Sequence, residues 1–593
     1  MVIPIIFSIF ALEINRNYSF IKNNIAMTDV KTNAFVEAIK NIKPYSLKEN
    51  EILTENGAIQ LKSSGSKIVD QFGKAGNYRG RSIDDVWNEQ DEIWNENSEA
   101  ALRFPFYLRM ITRKVKINDK NTTDKTQSGQ GARDESFKRL LWIAEAHPND
   151  FYKNIFMLPL VGSWKDLWVL MFLDETEGTS CLHHDALFEL MSNGLQSETH
   201  VDLIKKFMPR IKSNNKCTTT WTMLMNKYAK EFASYLNVSW KEYNKLKTSG
   251  KAHDFQKIIC SGNYDKIKWN MIPGRALSIL VNGKFLSNHN LKESYTNWII
   301  QQPTAKFTGY VFELAKRLRK IGVVGGNCYR NLEIPIEIKH TIDAQFNQVV
   351  ETALNGGKIK ENVLCCLDTS GSMQQQVNGL PNVMCCDIAT SLALFFAKIN
   401  KGAFHNVLMR FDSTSYPVTL ESESFCENLT KLPSCPCGTT NFQSVIDEIV
   451  KIRKEKPEIP LEEYPTVLLA VSDMQFDRPY SFSRMEMSNK TNQTEAREKL
   501  LEVFPKEFVD KVRFIWWDVA SRYGTNGFES TSSDDGSMYI SGFDGSIMNM
   551  LLGEDEDDEQ EGKEKGEIKR PTPEDLVKKA LSQEILSYIN LAE

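Results

Sequence analysis

The chain has 593 residues, of which 41% are hydrophobic and 25% charged, with a net charge of −5. That length is too great for one hydrophobic core, so at least two domains are expected, and the composition is that of globular protein. The acidic balance excludes bulk charge as a source of nucleic-acid affinity and leaves that role to a local basic patch. The 11 cysteines are few for this length, and the adjacent pairs Cys365-Cys366 and Cys385-Cys386 fall in apolar patterns. Free buried thiols and a reducing, cytoplasmic location are expected.

Residues 1–27 are read as an N-terminal extension. Met1 to Leu12 is apolar but has neither a basic flank nor a small-residue cleavage site, and it is too short to span a bilayer. Met27 is the expected start of the soluble chain. No other apolar run is long enough for a membrane helix, so no membrane partner is expected.

Residues 28–350 read as an all-α part. Ala101 to Ile111 is apolar with basic punctuation, and Phe137, Leu140, Leu141 and Ile143 have helical spacing. His147-Pro148 closes that helix. Asp150 starts an apolar segment over 151–160, and Gly162-Ser163 breaks it and caps the next, over 164–172. Short helices follow over 203–211, 220–236, 255–259, 295–300 and 311–318. Such succession predicts stacked antiparallel helices of the HEAT-like repeat kind, although no strict period is visible. The polar stretch 114–132 is expected to be an exposed loop, and 346–362 to be the last helix and a linker.

The pattern changes over 360–552. Strands are predicted at 363–367, 406–411, 466–471, 512–517 and 538–540, and helices at 387–399, 442–452, 495–504 and 546–551. Unbroken apolar strands alternating with helices mean a mainly parallel, Rossmann-like sheet covered on both faces. Such sheets bind ligands at the carboxyl ends of their strands. Residues 553–570, with seven acids in the eight residues from Glu554, are expected to form an acidic loop, and 571–593 a C-terminal helix.

Asp368, Ser370 and Ser372 leave the first of these strands as an Asp-x-Ser-x-Ser turn. All three are hard oxygen donors, suited to Mg²⁺ or Mn²⁺ and not to zinc. Gly438-Thr439-Thr440-Asn441 and Ser472-Asp473 lie at later loop and strand ends. The expected metal ligands are Asp368, Ser370, Ser372, Thr440 and Asp473. The competing reading is that Asp368 and Ser370 cap a helix while Asp473 ends a strand in a turn. Cys426, Cys435 and Cys437 lack a fourth ligand and paired spacing for zinc. A phosphatase reading of Asp368 needs a second carboxylate two residues on, where Ser370 stands. No phosphate-cradling Gly-rich loop and no Gly-x-Ser-x-Gly elbow is present, and His183-His184 beside Asp185 reads as helix surface. No enzymatic activity is expected.

The three metal segments together resemble the metal-ion-dependent adhesion site of a von Willebrand factor A (vWA) domain. There the metal keeps one position open for a partner's carboxylate, and the two aspartates often act through water. Asn441 stands where that family often has Asp, and Asp412 is a neighbouring turn residue. The order of a helical array followed by a vWA domain resembles the Ro autoantigen family, whose helical part is called TROVE. It is still more similar to an uncharacterised family of plants and giant viruses with the same layout. The segments that carry this are His147-Pro148, Gly162-Ser-Trp-Lys-Asp-Leu167, Leu367-Asp-Thr-Ser-Gly-Ser-Met373, Val471-Ser-Asp-Met-Gln-Phe-Asp477, Ile515-Trp-Trp-Asp518 and Ile540-Ser-Gly-Phe-Asp544. In Ro proteins a helical ring closed by the vWA domain binds single-stranded ends of structured or misfolded RNA and small non-coding RNAs. The resemblance implies a monomeric RNA-binding ribonucleoprotein component or quality-control adaptor. Its expected basic contacts are Arg113, Lys114, Lys116, Arg133, Lys138, Arg139, Lys205, Lys206, Arg210, Lys212, Arg317 and Arg319. The alternative is a metal-dependent protein scaffold that binds no RNA and engages an acidic residue of its partner. A basic inner face of the ring favours the first, and an acidic or apolar one the second.

Overall fold

A computed structural model describes residues 46–118, 120–250, 254–322, 334–355, 361–432, 437–481, 486–520, 522, 526–545, 547 and 570–592. The expected start at Met27, the helix at 546–551 apart from Ile547, and the acidic loop up to residue 569 lie outside the described residues. Met1–Glu49 form one unit and Asn50–Glu593 another. In the larger unit the strands are β1 (Glu51–Leu53), β2 (Ile59–Leu61), β3 (Val363–Asp368), β4 (Val407–Phe411), β5 (Ser415–Thr419), β6 (Val467–Ser472), β7 (Tyr480–Ser481), β8 (Glu486–Met487), β9 (Arg513–Asp518) and β10 (Ser537–Ser541).

Six of them form one sheet in the order β10-β9-β6-β3-β4-β5. All neighbours run parallel except β5, which returns antiparallel along β4. β3, β6 and β9 are buried at every residue. Their lack of alternation follows, since both faces of the sheet are covered. Helix Cys385–Ile399 lies on one face and is buried all round. Its second side is covered by helices Val311–Gly322 and Ile336–Leu354, which is why it is apolar on every side. The opposite face carries helix Gln443–Glu455 and a knot of rings, Phe442, Phe476 and Trp516. Burying each such ring contributes roughly 1.5–3 kcal/mol. β5 was not expected from the sequence: it is short, half-exposed and holds Pro417, which an edge strand tolerates because it lacks a second neighbour.

The helical array both starts and ends on the α/β part. Helix Lys67–Lys74 packs on β10, and Ser98–Arg109 packs on Pro573–Leu581. At the far end Val311–Gly322 packs on Cys385–Ile399, and Ile336–Leu354 on Phe425–Lys431. The two ends also meet directly: Tyr310 Oη donates to Gly131 O at 2.8 Å. Gly131 has φ +63° and a Cβ there would collide with that hydroxyl, so glycine is required for both reasons. Among the described residues no helix is long and apolar enough to cross a membrane.

Three expectations need correction. The stretch 114–132 is not an exposed loop, because Val115, Thr123, Gln127 and Gln130 are buried. Its backbone pairs across Arg113–Gln127 and Lys116–Thr122, and Ser128 exchanges hydrogen bonds with Gln583 at 2.7 and 2.9 Å. The segment 51–74 belongs with the sheet, since Ala58 sits in the core with Phe476 and Trp516. The C-terminal helix stops at Leu581, followed by a tight turn over Glu584–Tyr588. The tail then staples the helical array, with Lys153 Nζ on Leu591 O at 2.7 Å and Asn154 Nδ2 on Asn590 O at 2.8 Å.

Candidate functional site

The parallel strands bring an aspartate to one edge again and again. Asp368 ends β3, Asp473 follows β6 and Asp518 ends β9, while Asp412 and Asp544 follow β4 and β10. Asp368, Ser370, Thr440 and Asp473 are buried, and Ser372 is half-buried. Asp368 Oδ1 accepts from the Ser370 amide at 2.8 Å, and Oδ2 from Ser472 Oγ at 2.5 Å. Ser370 Oγ and Ser372 Oγ are 3.1 Å apart, and the Ser372 hydroxyl reaches Asp473. The Thr440 loop is drawn in by Gly371 N on Gly438 O at 3.2 Å, with Gly438 at φ +84°. Asp368, Ser370, Ser372 and Asp473 are therefore linked into one cluster, and the loop that carries Thr440 lies against it.

Burial is the first cause acting on Asp368, and the Asp473 charge the second. Together they push its carboxyl up to about 7. Burial raises Asp473 as well, against the opposing pull of Arg522. Two buried carboxyls held side by side at neutral pH are relieved by a positive charge. Arg522 supplies one, at 3.0 Å from Asp473 Oδ2. Two carboxylates and three hydroxyls also suit a hard divalent cation. Among the described residues no cluster of three or more His, Cys, Asp or Glu could hold a metal, so such a centre depends on the hydroxyls. Of the thiols, Cys426 is buried against Lys339 O, Cys437 is exposed, and Cys435 lies outside the described residues. Asp412 acts as a turn residue, accepting from the Thr414 amide at 3.3 Å.

The β1–β2 turn covers these loops, which the sequence reading missed. Asn56 Nδ2 donates to Gln475 O at 2.7 Å and reaches Thr440 Oγ1 at 3.4 Å. The Glu55 amide donates to Gln475 Oε1 at 2.7 Å, and its carboxylate holds Arg522 at 2.6 Å. Asn56-Gly57 between Glu51-Ile-Leu53 and Ile59-Gln-Leu61 was a legible hairpin signal. Its docking place, 384 to 420 residues away in sequence, was not.

A second feature lies within the helical array. A cavity of about 660 Å³ is walled by Arg79, Arg109, Arg113, Arg133 and Arg275, with Phe137, Phe172, Phe307 and Tyr310 among them. Asp134, Glu313 and Asp544 are its acids. Arg109 is paired with Asp166 at 2.7 Å, and Arg113 is spent on Leu160 O and Gly162 O at 2.7 and 2.9 Å. Arg133 and Arg275 are exposed, and their guanidinium groups have no hydrogen-bonding or ionic partner among the described residues.

The other expected basic contacts scatter. Lys138 and Arg139 are corrected, being 4% and 0% exposed. Arg139 is consumed by Glu89 at 3.0 Å and Gln71 at 2.8 Å, and Lys138 by Asp134 at 3.2 Å. The helix is buried at every position from Glu135 to Ala144, so it leaves no solvated face for them. Arg319 pairs with Asp387, and Arg317 bonds Asn282 and Gln345. Lys114 and Lys116 are exposed. Lys205 and Lys206 are half-buried on helix Val201–Phe207, and Arg210 and Lys212 line a separate small pocket.

A family model described as a domain of unknown function (DUF7788) matches residues 362–585. That span holds the six-stranded sheet and all five expected ligands, and omits the β1–β2 turn and the helical array. No curated protein matches the chain.

Proposed function

We propose that the chain is a non-enzymatic RNA-binding scaffold, a ribonucleoprotein component or RNA quality-control adaptor, built from a TROVE-like helical ring and a vWA-type domain. The observation that carries this is the cavity with Arg133 and Arg275 exposed on its wall and aromatic rings between the cations. Arginine neutralises phosphate, and aromatic faces stack on unpaired bases without regard to sequence. The contact of Tyr310 with Gly131 supports a closed ring, because it joins helices from opposite ends of the array. The test is anisotropy of a labelled single-stranded RNA with the full chain over a salt series. Binding that weakens with salt, and weakens about tenfold or more in Arg133→Glu with Arg275→Glu, is expected. Wild-type protein that binds no RNA at low salt would sink the reading.

Ser370, Ser372 and Thr440 would hold Mg²⁺ or Mn²⁺ directly in this reading, with Asp368 and Asp473 beside them. Bound there, the ion supplies an electrophilic position for a partner's carboxylate. A metal-dependent protein scaffold without RNA binding is the second reading, favoured by the clustering of Asp368, Ser370, Ser372 and Asp473 with the Thr440 loop beside them. It would be chosen if partner capture were lost with chelator and in Thr440→Ala while RNA binding was absent.

A further inference from the structure

A pocket of about 210 Å³ opens between helix Lys165–Glu177 and helix Thr220–Tyr235. Its lining includes Lys165, Trp168, Phe207, Arg210, Lys212 and Trp221. We propose that this pocket is a nucleotide subsite, which takes one unpaired base of an RNA strand against Trp221 and its phosphate on Lys165, Arg210 and Lys212. The proposal rests on the RNA-binding reading and names a second place where the strand is held.

Size comes first. Pockets for drug-sized ligands run from roughly 300 Å³ upward, so this one suits a single planar ring. Chemistry comes next. No acid is among its lining residues. Lys165, Arg210 and Lys212 are exposed, and none forms a salt bridge with a described residue. The Lys165 ammonium stands over the Trp221 ring at 5.8 Å, near the outer limit of an effective cation–π contact. It is thus positioned to trade that weak contact for a phosphate. Lys206, beside the pocket, lies over the Phe207 ring at 5.3 Å. Trp221 is half-buried, and Phe172 meets it edge-on, with centroids 4.8 Å apart. The indole is therefore held rigid, which keeps the entropy cost of stacking low.

Location connects the two sites. Helix Lys165–Glu177 gives Val169, Phe172 and Leu173 to the central cavity, and Lys165 and Trp168 to the small pocket. The Phe172–Trp221 ring pair is the wall between them. A strand that leaves the cavity past this helix meets the Trp221 pocket directly.

The test uses the full chain, a short labelled oligouridylate, and three variants: Trp221→Ala, the combined Lys165→Glu, Arg210→Glu, Lys212→Glu, and the cavity pair Arg133→Glu, Arg275→Glu. Loss of one stacked base weakens binding about tenfold. Trp221→Ala and the triple reversal should each do so, Trp221→Phe should recover most of the loss, and indole emission should quench on RNA addition. Matching thermal melts show that the variants fold. RNA binding that the cavity pair weakens and Trp221→Ala leaves unchanged overturns the subsite and keeps the RNA reading. No RNA binding by the wild type overturns both. An acidic peptide that binds this pocket in preference to the oligouridylate makes it a protein contact and overturns the proposal too.

Discussion

The strand-end loops and the central cavity are both polar, but their charges are satisfied in opposite ways. At the strand ends Asp368 is answered by Ser472 and the Ser370 amide, and Asp473 by Arg522 and the Gln475 amide. In the cavity Arg133 and Arg275 have exposed guanidinium groups without such answers among the described residues. A buried charge must be compensated within the chain, whereas an exposed one is left for solvent or ligand. The first site is therefore bound up with folding, and the second is spare capacity. Removing a charge should accordingly harm stability at the strand ends, and at Arg133 or Arg275 leave it alone.

The largest effect is expected at Arg522. Arg522→Met leaves Asp473 buried beside Asp368 with one counter-charge fewer, and breaking a buried pair costs about 3–5 kcal/mol. Urea unfolding should show that loss, and Asp473→Asn added to it should restore much of it. Unchanged stability in Arg522→Met would mean that the pair is not formed in solution.

Glu529 extends the contrast to a third place. It is fully buried, and burial pushes its carboxyl up to about 7 against hydrogen bonds from Gln60 and the Gln493 and Asn492 amides. The folded form thus keeps its proton at a pH where the unfolded form, near 4.5, has lost it. Stability should fall as pH rises from about 4.5 to about 7 and then level off, by up to roughly 3 kcal/mol from this group. Glu529→Gln should flatten that part of the profile, and an unaltered profile would remove Glu529 as its source.

Metal addition comes next. If the five oxygen donors hold Mg²⁺ or Mn²⁺, an excess of a hundred times Kd should stabilise the fold by about 2.7 kcal/mol. Thr440→Ala should lose that gain while its metal-free melt stays near wild type. A wild-type melt indifferent to both ions would leave Arg522 as the sole counter-charge. The smallest expected change is Asn56→Ala, which removes the bond to Gln475 O and costs about 1 kcal/mol. Its value lies in the metal titration: a shift in Mn²⁺ affinity would show that the β1–β2 turn touches the ion's surroundings.

Periodicity carried much of the fold. The helix at Glu135 to Ala146, the apolar strands and the two-part order were all legible, because burial imposes a repeat that local sequence records. The half-exposed edge strand β5 carried no such signal, and 114–132 looked like loop because its polar groups bond to the distant residues Gln583 and Ile585. Helical spacing alone could not separate Lys138 and Arg139 from solvated cations; a long basic side chain can sit at a buried position when acids such as Glu89 and Asp134 meet it there.

By itself the sequence determined most local pieces: the buried strands, the regularly spaced helices, and that Asp368, Ser370, Ser372 and Asp473 end or follow strands. Those depend on neighbours a few residues away. Tertiary structure alone decided that Glu55 and Asn56 cover them, that Arg522 answers Asp473, and that Arg133 and Arg275 share one cavity. Each of these is set by where distant segments dock, and docking is governed by surface fit and charge pairing that no local spacing encodes.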